Sequence, residues 1–386
     1  MKIEDKKACS ISMVSQLACW FGAIGHAFRR NCCKWLIGLT VLAVFPVSGY
    51  AEDKLGQLAQ QAQAAIQKQE WDTALNLLNQ ARSLTCGAPR IVDKNRCADS
   101  LATIGWVFSS RGMTPAAVPY FEEAYKYRLS ILGQYHAKTL LLCANYGVAL
   151  IESGKAEEAE KVLLPCAEEI NGVDVLTQTD SYYQLSTAYA YQHKFEDGEA
   201  LMRRLMSKLE RRSLRETPEY AGALAELAKN VQKQKGGRYV EAAGILEEAL
   251  AVGEKVYGRE SERYARWEGD LAELLPGFGR VEEAERRAKH GFEVMKKIFG
   301  EDHARTAAAA FVLGKILLYK GEYQEAETIL REVHRIFVKI FGPRNQYLKD
   351  PQSYLILALE RQGKEKEARR FERQNGMWVF REQGTF

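Results

Sequence analysis

The chain has 386 residues, 46% hydrophobic and 27% charged, a mixture that excludes a disordered chain and has room for two or three ordinary domains. Its formal net charge of +4 resides in the first 51 residues, which hold six Lys/Arg and two Asp/Glu, whereas the remainder carries 48 of each sign. That balance removes any general electrostatic reason to bind nucleic acid or an anionic membrane.

Residues 1–51 read as a secretory leader. Arg29, Arg30 and Lys34 precede Trp35 to Val47, thirteen residues without a charge. Pro46-Val47-Ser48-Gly49-Tyr50-Ala51 then places small residues one and three positions before Glu52, the form a signal peptidase needs, so cleavage is expected after Ala51. The competing reading is an uncleaved anchor over residues 35–51, against which the run is short for a membrane span. A second weakly apolar run, Ile11 to Phe28, leaves open whether the chain starts at Met1 or Met13.

From Glu52 onward the chain reads as eight helix pairs, each a first helix (A), a tight turn and a second helix (B). In the first, Leu55, Leu58, Ala62 and Ile66 keep helical spacing up to a turn near 69, and Trp71 and Ala74 follow it. The next turns fall near Gly112 and Gly154. The fourth is irregular: His193 stands in the turn, Phe195 in the aromatic place and Gly198 in the alanine place. Turns near Gly237, Gly279, Gly321 and Gly363 complete the series. These last four are 42 residues apart, as are Gly112 and Gly154, while Gly154 to Gly237 is one residue short of two periods. Gly258, Gly300 and Gly342 keep the same interval, and with Gly133 each reads as a helix end in a left-handed turn, followed by polar residues able to cap the next helix. A fixed period of this size predicts a stacked array.

The core Gly321-Glu322-Tyr323-Gln324-Glu325-Ala326, followed seven residues later by a second small site (Ala81, Ala124, Cys166, Ala249 and Gly291 in five units, but Leu205 and Val333 in two), resembles a tetratricopeptide repeat. The 42-residue period and Phe299-Gly300-Glu301-Asp302-His303 are similar to the long repeats of kinesin light chains. The resemblance covers nearly everything after the leader and implies an all-α, right-handed α-solenoid of about eight antiparallel helix pairs over residues 52–386. Alanines such as Ala326 are expected to let the B-helix approach its A-helix, with Gly105, Gly147 and Gly314 on the A-helix face that meets them.

Four of the eight cysteines lie in the leader and four outside it, an even set suited to an oxidising compartment. Cys86 and Cys97 flank a loop, and Cys143 and Cys166 lie eleven residues before and twelve after Gly154, which a hairpin would place side by side. Disulfides Cys86–Cys97 and Cys143–Cys166 are therefore expected, buried thiols being the alternative.

The search for chemistry yields no catalytic, cofactor-binding or metal-binding set. His26, His136, His193, His290, His303 and His334 form no zinc motif, and His136 and His303 recur at one linker position, which reads as a helix start. Glu157-Glu158 and Glu282-Glu283 recur at B-helix starts, where acidic residues favour the helix dipole. Gly236-Gly237 after Lys235 lacks a phosphate-loop context, and Ser83, Ser153 and Ser207 lie in no nucleophile elbow. Function is therefore expected at a surface. The resemblance implies that extended peptides or partner helices are received along the A-helix face, where the register places Trp106, Asn145, Tyr183, Gln184, Asp270, Lys315 and Tyr319. The reading is an exported, periplasmic or secreted adaptor without cofactor that binds a protein or peptide, with a self-associating element of the cell envelope as its rival and an enzyme less favoured. The partner, its motif and the oligomeric state are not legible.

Overall fold

The computed structural model of this protein describes residues 50–68, 70–86, 91–110, 113–168, 174–343 and 345–375. The leader up to Gly49 and the turn positions Gln69 and Gly112 lie outside them. Every regular element among the described residues is helical: α1 (Tyr50–Gln67), α2 (Trp71–Thr85), α3 (Ile91–Ser110), α4 (Thr114–Leu132), α5 (Ala137–Glu152), α6 (Ala156–Leu163), α7 (Val175–Tyr191), α8 (Phe195–Arg211), α9 (Pro218–Lys233), α10 (Tyr239–Tyr257), α11 (Glu262–Leu274), α12 (Val281–Phe299), α13 (Ala304–Lys320), α14 (Tyr323–Phe341), α15 (Lys349–Arg361) and α16 (Glu365–Gln374). These are eight A/B pairs, the odd-numbered helices being A. The chain divides into two compact units, one reaching Leu214 and including Lys233–Lys235, the other formed by Arg215–Gln232 and the residues from Gly236. Successive helices pack on one another from α1 to α8 in the first unit and from α10 to α16 in the second, and A-helices also meet A-helices, α5 on α7, α11 on α13 and α13 on α15. The fold is an all-α solenoid.

Small residues set the spacing inside each pair. Ala74, Ala117, Ala159, Ala242, Ala284, Ala326 and Ala368 are all fully buried, one per B-helix, and Gly198 takes that place in α8. Along α14 the buried Ala326, Leu330, Val333 and Phe337 make one apolar stripe at helical spacing. The A-helix glycines face the same side of the B-helix as these alanines, and their nearest neighbours are the large side chains one turn further on. A β-carbon on Gly105 would touch the Phe121 ring at 3.1 Å, one on Gly147 would lie 2.6 Å from Leu163, and one on Gly314 would lie 2.9 Å from Leu330. Each partner is four residues beyond the alanine, one turn on along the same face, so the glycine admits a large side chain.

The two kinds of break differ in backbone. Gly321 is left-handed (φ 89°, ψ 9°), but the linker glycine Gly300 has φ 84° and ψ 171°, a region open to glycine alone, which corrects the left-handed turn expected there. His193 keeps φ 58° in the fourth turn, at a cost of about 1–2 kcal/mol for a residue with a β-carbon. Three residues after each linker glycine stands a side chain that accepts from a backbone amide: the first three are the N-caps of α5, α11 and α13, and Asn345 opens the 3-10 turn Gln346–Leu348 that precedes α15. His136 Nδ1 accepts from the Lys138 amide, Ser261 Oγ from Tyr264, His303 Nδ1 from Arg305 and Asn345 Oδ1 from Tyr347.

Charged clasps join one pair to the next. In the first unit Glu160 of α6 accepts from Gln192 and Lys194, both at 2.8 Å, at the following turn. In the second unit Glu327 of α14 accepts in the same way from Gln362 at 2.8 Å and Lys364 at 2.7 Å. Burial pushes the Glu327 carboxyl up, but hydrogen bonds from Lys364, Arg331 and Gln362 outweigh it and hold the pKa at about 2.

Candidate partner-binding surfaces

An A-helix packed on a B-helix and on both neighbouring A-helices leaves one narrow stripe uncovered, at spacings of three and four residues. In the first unit that stripe includes Leu141, Asn145 and Val148 on α5 and Asp180, Tyr183 and Thr187 on α7. Leu141 is 51% exposed and Tyr191, at the end of α7, 64% exposed. Trp106 on α3 is half-buried, its ring 6.5 Å from that of Trp71. Asn145 and Tyr183 are also half-buried, so part of each faces outward. Gln184 does not join them; it turns into the pair and is buried, as one step along a helix rotates a side chain out of the stripe. The neighbouring Tyr182 is fully buried and accepts from Lys208 Nζ at 2.7 Å.

In the second unit Lys315 is the centre of the stripe. Its Nζ lies 2.6 Å from Glu273 on α11 and sits over two rings, Phe311 at 5.2 Å and Tyr354 of α15 at 5.7 Å, which themselves meet edge to face. Tyr319, one turn on, is 69% exposed. Asp270 is half-buried, and its Oδ2 has no hydrogen-bond partner among the described residues. The structure thus assembles Lys315 with Glu273, Phe311 and Tyr354, three residues that the sequence reading missed. Glu273 had a signal: it lies one period before Lys315 and so occupies the same place in the preceding repeat.

His26 lies outside the described residues, and His136, His290, His303 and His334 have structural partners. His136 and His303 are the N-caps already described. His290 Nδ1 meets the buried carboxylate of Glu268, with Glu260 3.6 Å from Nε2. Burial lowers the pKa of His334, which lies 3.2 Å from the side-chain amide of Gln352 and edge-on to Phe371. Glu158 pairs with Lys155 at 3.2 Å, and Glu283 with Arg280 and Arg287 at 2.7 and 2.9 Å, which accounts for these acids as parts of helix starts. The Ser83 and Ser153 hydroxyls donate to backbone carbonyls of their own helices. Cys86 faces Cys97 with their Cα atoms 4.9 Å apart, and Cys143 faces Cys166, on the short 3-10 turn after α6, at 6.8 Å. Among the described residues no group of three His, Cys, Asp or Glu side chains converges as a metal site, and no helix is long and apolar enough to cross a membrane.

Helical hairpins stacked with a constant period and one uncovered A-helix stripe define an α-helical repeat protein. Residues 231–297 and 278–337 match the tetratricopeptide repeat family model, so this stretch of the chain carries tetratricopeptide repeats. The comparison with curated protein sequences gives no match. Among solved structures, a Podosopora anserina putative kinesin light chain with nearly identical TPR-like repeats is similar at 21% identity, over 51% of this chain and 92% of that one, with a TM-score of 0.45. BtubC (BKLC) from P. vanneervenii is similar at 18% identity, over 64% and 96%, with a TM-score of 0.45. A signal-transduction ATPase with a tetratricopeptide repeat sensor from Pyrococcus horikoshii is similar at 12% identity, over 97% of this chain and 59% of that one, with a TM-score of 0.52. At these identities the likeness concerns the fold.

Proposed function

We propose that this chain is an exported, non-catalytic scaffold that receives a protein or peptide along the A-helix stripes of its two units. The observation that carries the reading is the pair of uncovered platforms. Leu141, Asn145, Tyr183 and Tyr191 offer apolar area beside an amide in the first unit, and Tyr319 lies beside the ring-backed Lys315–Glu273 pair in the second. Exposed aromatic rings and a desolvated cation are the groups that anchor partners at interfaces. Export rests on the three-part leader and on the two facing cysteine pairs, which we infer to be disulfides formed in an oxidising compartment. Cleavage after Ala51 would leave α1 to start at Glu52.

The test is photo-cross-linking in intact cells, with the reactive residue at Trp106, Tyr183 or Lys315 and control sites on B-helices. Capture of one defined protein from the A-helix sites supports the proposal; capture from B-helix sites alone refutes it. The rival reading, a self-associating envelope element, predicts a mass above one chain by light scattering and cross-links from these sites to a second copy.

A further inference from the structure

The last helix of the second unit depends on its neighbours. α16 has ten residues, too few for a helix to be stable alone, and its one buried residue is Ala368. Ion pairs clasp its start, Lys364 with Glu327 at 2.7 Å and Glu367 with Arg331 at 2.5 Å. Its end is held differently, by neutral groups. The Phe371 ring stands edge-on to the half-buried imidazole of His334 on α14, with centroids 5.1 Å apart, and Asn375 meets Gln352 of α15.

A chain of hydrogen bonds fixes the state of that imidazole. Asn375 Nδ2 donates to the Phe371 carbonyl at 2.9 Å, so its Oδ1 is the atom that faces Gln352. Gln352, 4% exposed, donates from Nε2 to this Oδ1 at 3.3 Å and to His334 Nε2 at 3.2 Å. An amide nitrogen only donates, so His334 Nε2 is a bare acceptor and the ring is neutral. A proton on Nε2 would set one N–H against another inside the joint. The groups against the ring from α15 and α16 are Gln352, Phe371 and Asn375, none of them charged; among the described residues the charge that acts on it is Arg331 of its own helix. Burial and Arg331 outweigh a hydrogen bond with Asn375 and hold the imidazole below its ordinary 6.5. We propose that His334 is the catch of a pH-sensitive latch, closed while its ring is neutral and opened by mild acid, that holds the end of α16 against α14 and α15. The latch does not involve the Lys315 stripe and stands or falls separately from partner binding there.

The docked end binds the proton less well than the released end, so the latch holds fully above pH 6.5 and weakens as pH falls through that value. A docked ring that excluded the proton altogether would favour release by about thirtyfold at pH 5, which is the upper limit of the effect. Glu327, with its pKa at about 2, keeps the start of α16 clasped over this range, so release is confined to residues 371–375. The test is an NMR titration of the full chain from pH 7.5 to pH 5, labelled at histidine, phenylalanine and backbone nitrogen. Neutral His334 is expected to show Nε2 without a proton and to titrate below pH 6.5, and the Phe371 ring and the amides of 371–375 should shift in step with it. His334→Gln cannot titrate, and its helix end should stay in place throughout. Should that variant fold poorly, Asn375→Ala leaves Gln352 free to turn, and His334 should then titrate closer to 6.5. The proposal is overturned by a proton on Nε2 of the neutral ring, by titration at or above pH 6.5, by an Asn375→Ala chain in which His334 titrates as in the parent, or by a helix end that moves with acid as far in His334→Gln as in the parent.

Discussion

Replacing Glu327 by glutamine tests the clasp between α14 and the turn that follows α15. The carboxylate is 11% exposed and accepts from Lys364, Gln362 and, at 2.8 Å, Arg331. Its pKa falls from the ordinary 4.5 to about 2, so the folded state binds the proton less well than the unfolded chain. The clasp therefore contributes fully above pH 4.5, and the contribution is lost as pH falls towards 2. Taken at face value the shift corresponds to about 3 kcal/mol at neutral pH. Lys364 and Arg331 are each 40% exposed, and solvent screening reduces the expectation to about 1–2 kcal/mol. Urea unfolding of parent and Glu327→Gln, followed by circular dichroism between pH 7 and pH 2.5, should show a stability gap of that size that closes with acid. Two curves that stay parallel over the whole range would refute the reasoning, because a gap insensitive to pH cannot come from this carboxylate.

Three further expectations concern packing, caps and cysteines, and a fourth the leader. Gly291→Ala should cost more than Gly314→Ala, because the new methyl would meet the backbone carbonyl of Ala265 at 2.8 Å in the first case and a movable Leu330 methyl at 2.9 Å in the second; about 3 against about 1 kcal/mol in urea unfolding is the expected contrast. His303→Ala removes an N-cap acceptor and should lower stability by about 1 kcal/mol, with faster amide exchange confined to the start of α13; uniform exchange would argue against the cap. Peptide mapping without reduction should recover Cys86 linked to Cys97 and Cys143 linked to Cys166, and reduction should cost about 2–4 kcal/mol per bridge; four alkylated thiols would remove the disulfides. Edman sequencing of the exported protein should begin at Glu52, and a chain that retains Trp35 would favour the anchor.

Periodicity made the fold legible because a solenoid repeats its physics. Any contact between Ala326 and its A-helix must recur 42 residues away, so the glycines and alanines announce the pairs without knowledge of distant contacts. Conformation was harder to read. A glycine symbol does not separate φ 89°, ψ 9° from φ 84°, ψ 171°, and only the chain leaving Gly300 for its cap at His303 selects the second. The surfaces were legible in part. Lys315 and Tyr319 follow from register, but Gln184 differs from Tyr183 by one step of 100°, finer than an inferred register resolves. The ring pair under Lys315 depends on Tyr354, which lies one residue past the place that the period assigns to Phe311.

The four accepting side chains that follow Gly133, Gly258, Gly300 and Gly342 are two imidazoles, a hydroxyl and an amide, each closing the turn that comes after it. Because the joint is local, a segment excised from one such glycine to the next carries both its hinge and its lock. Whole modules could be duplicated or deleted in a gene without reworking the seams, and the reach of the molecule would then be set by copy number.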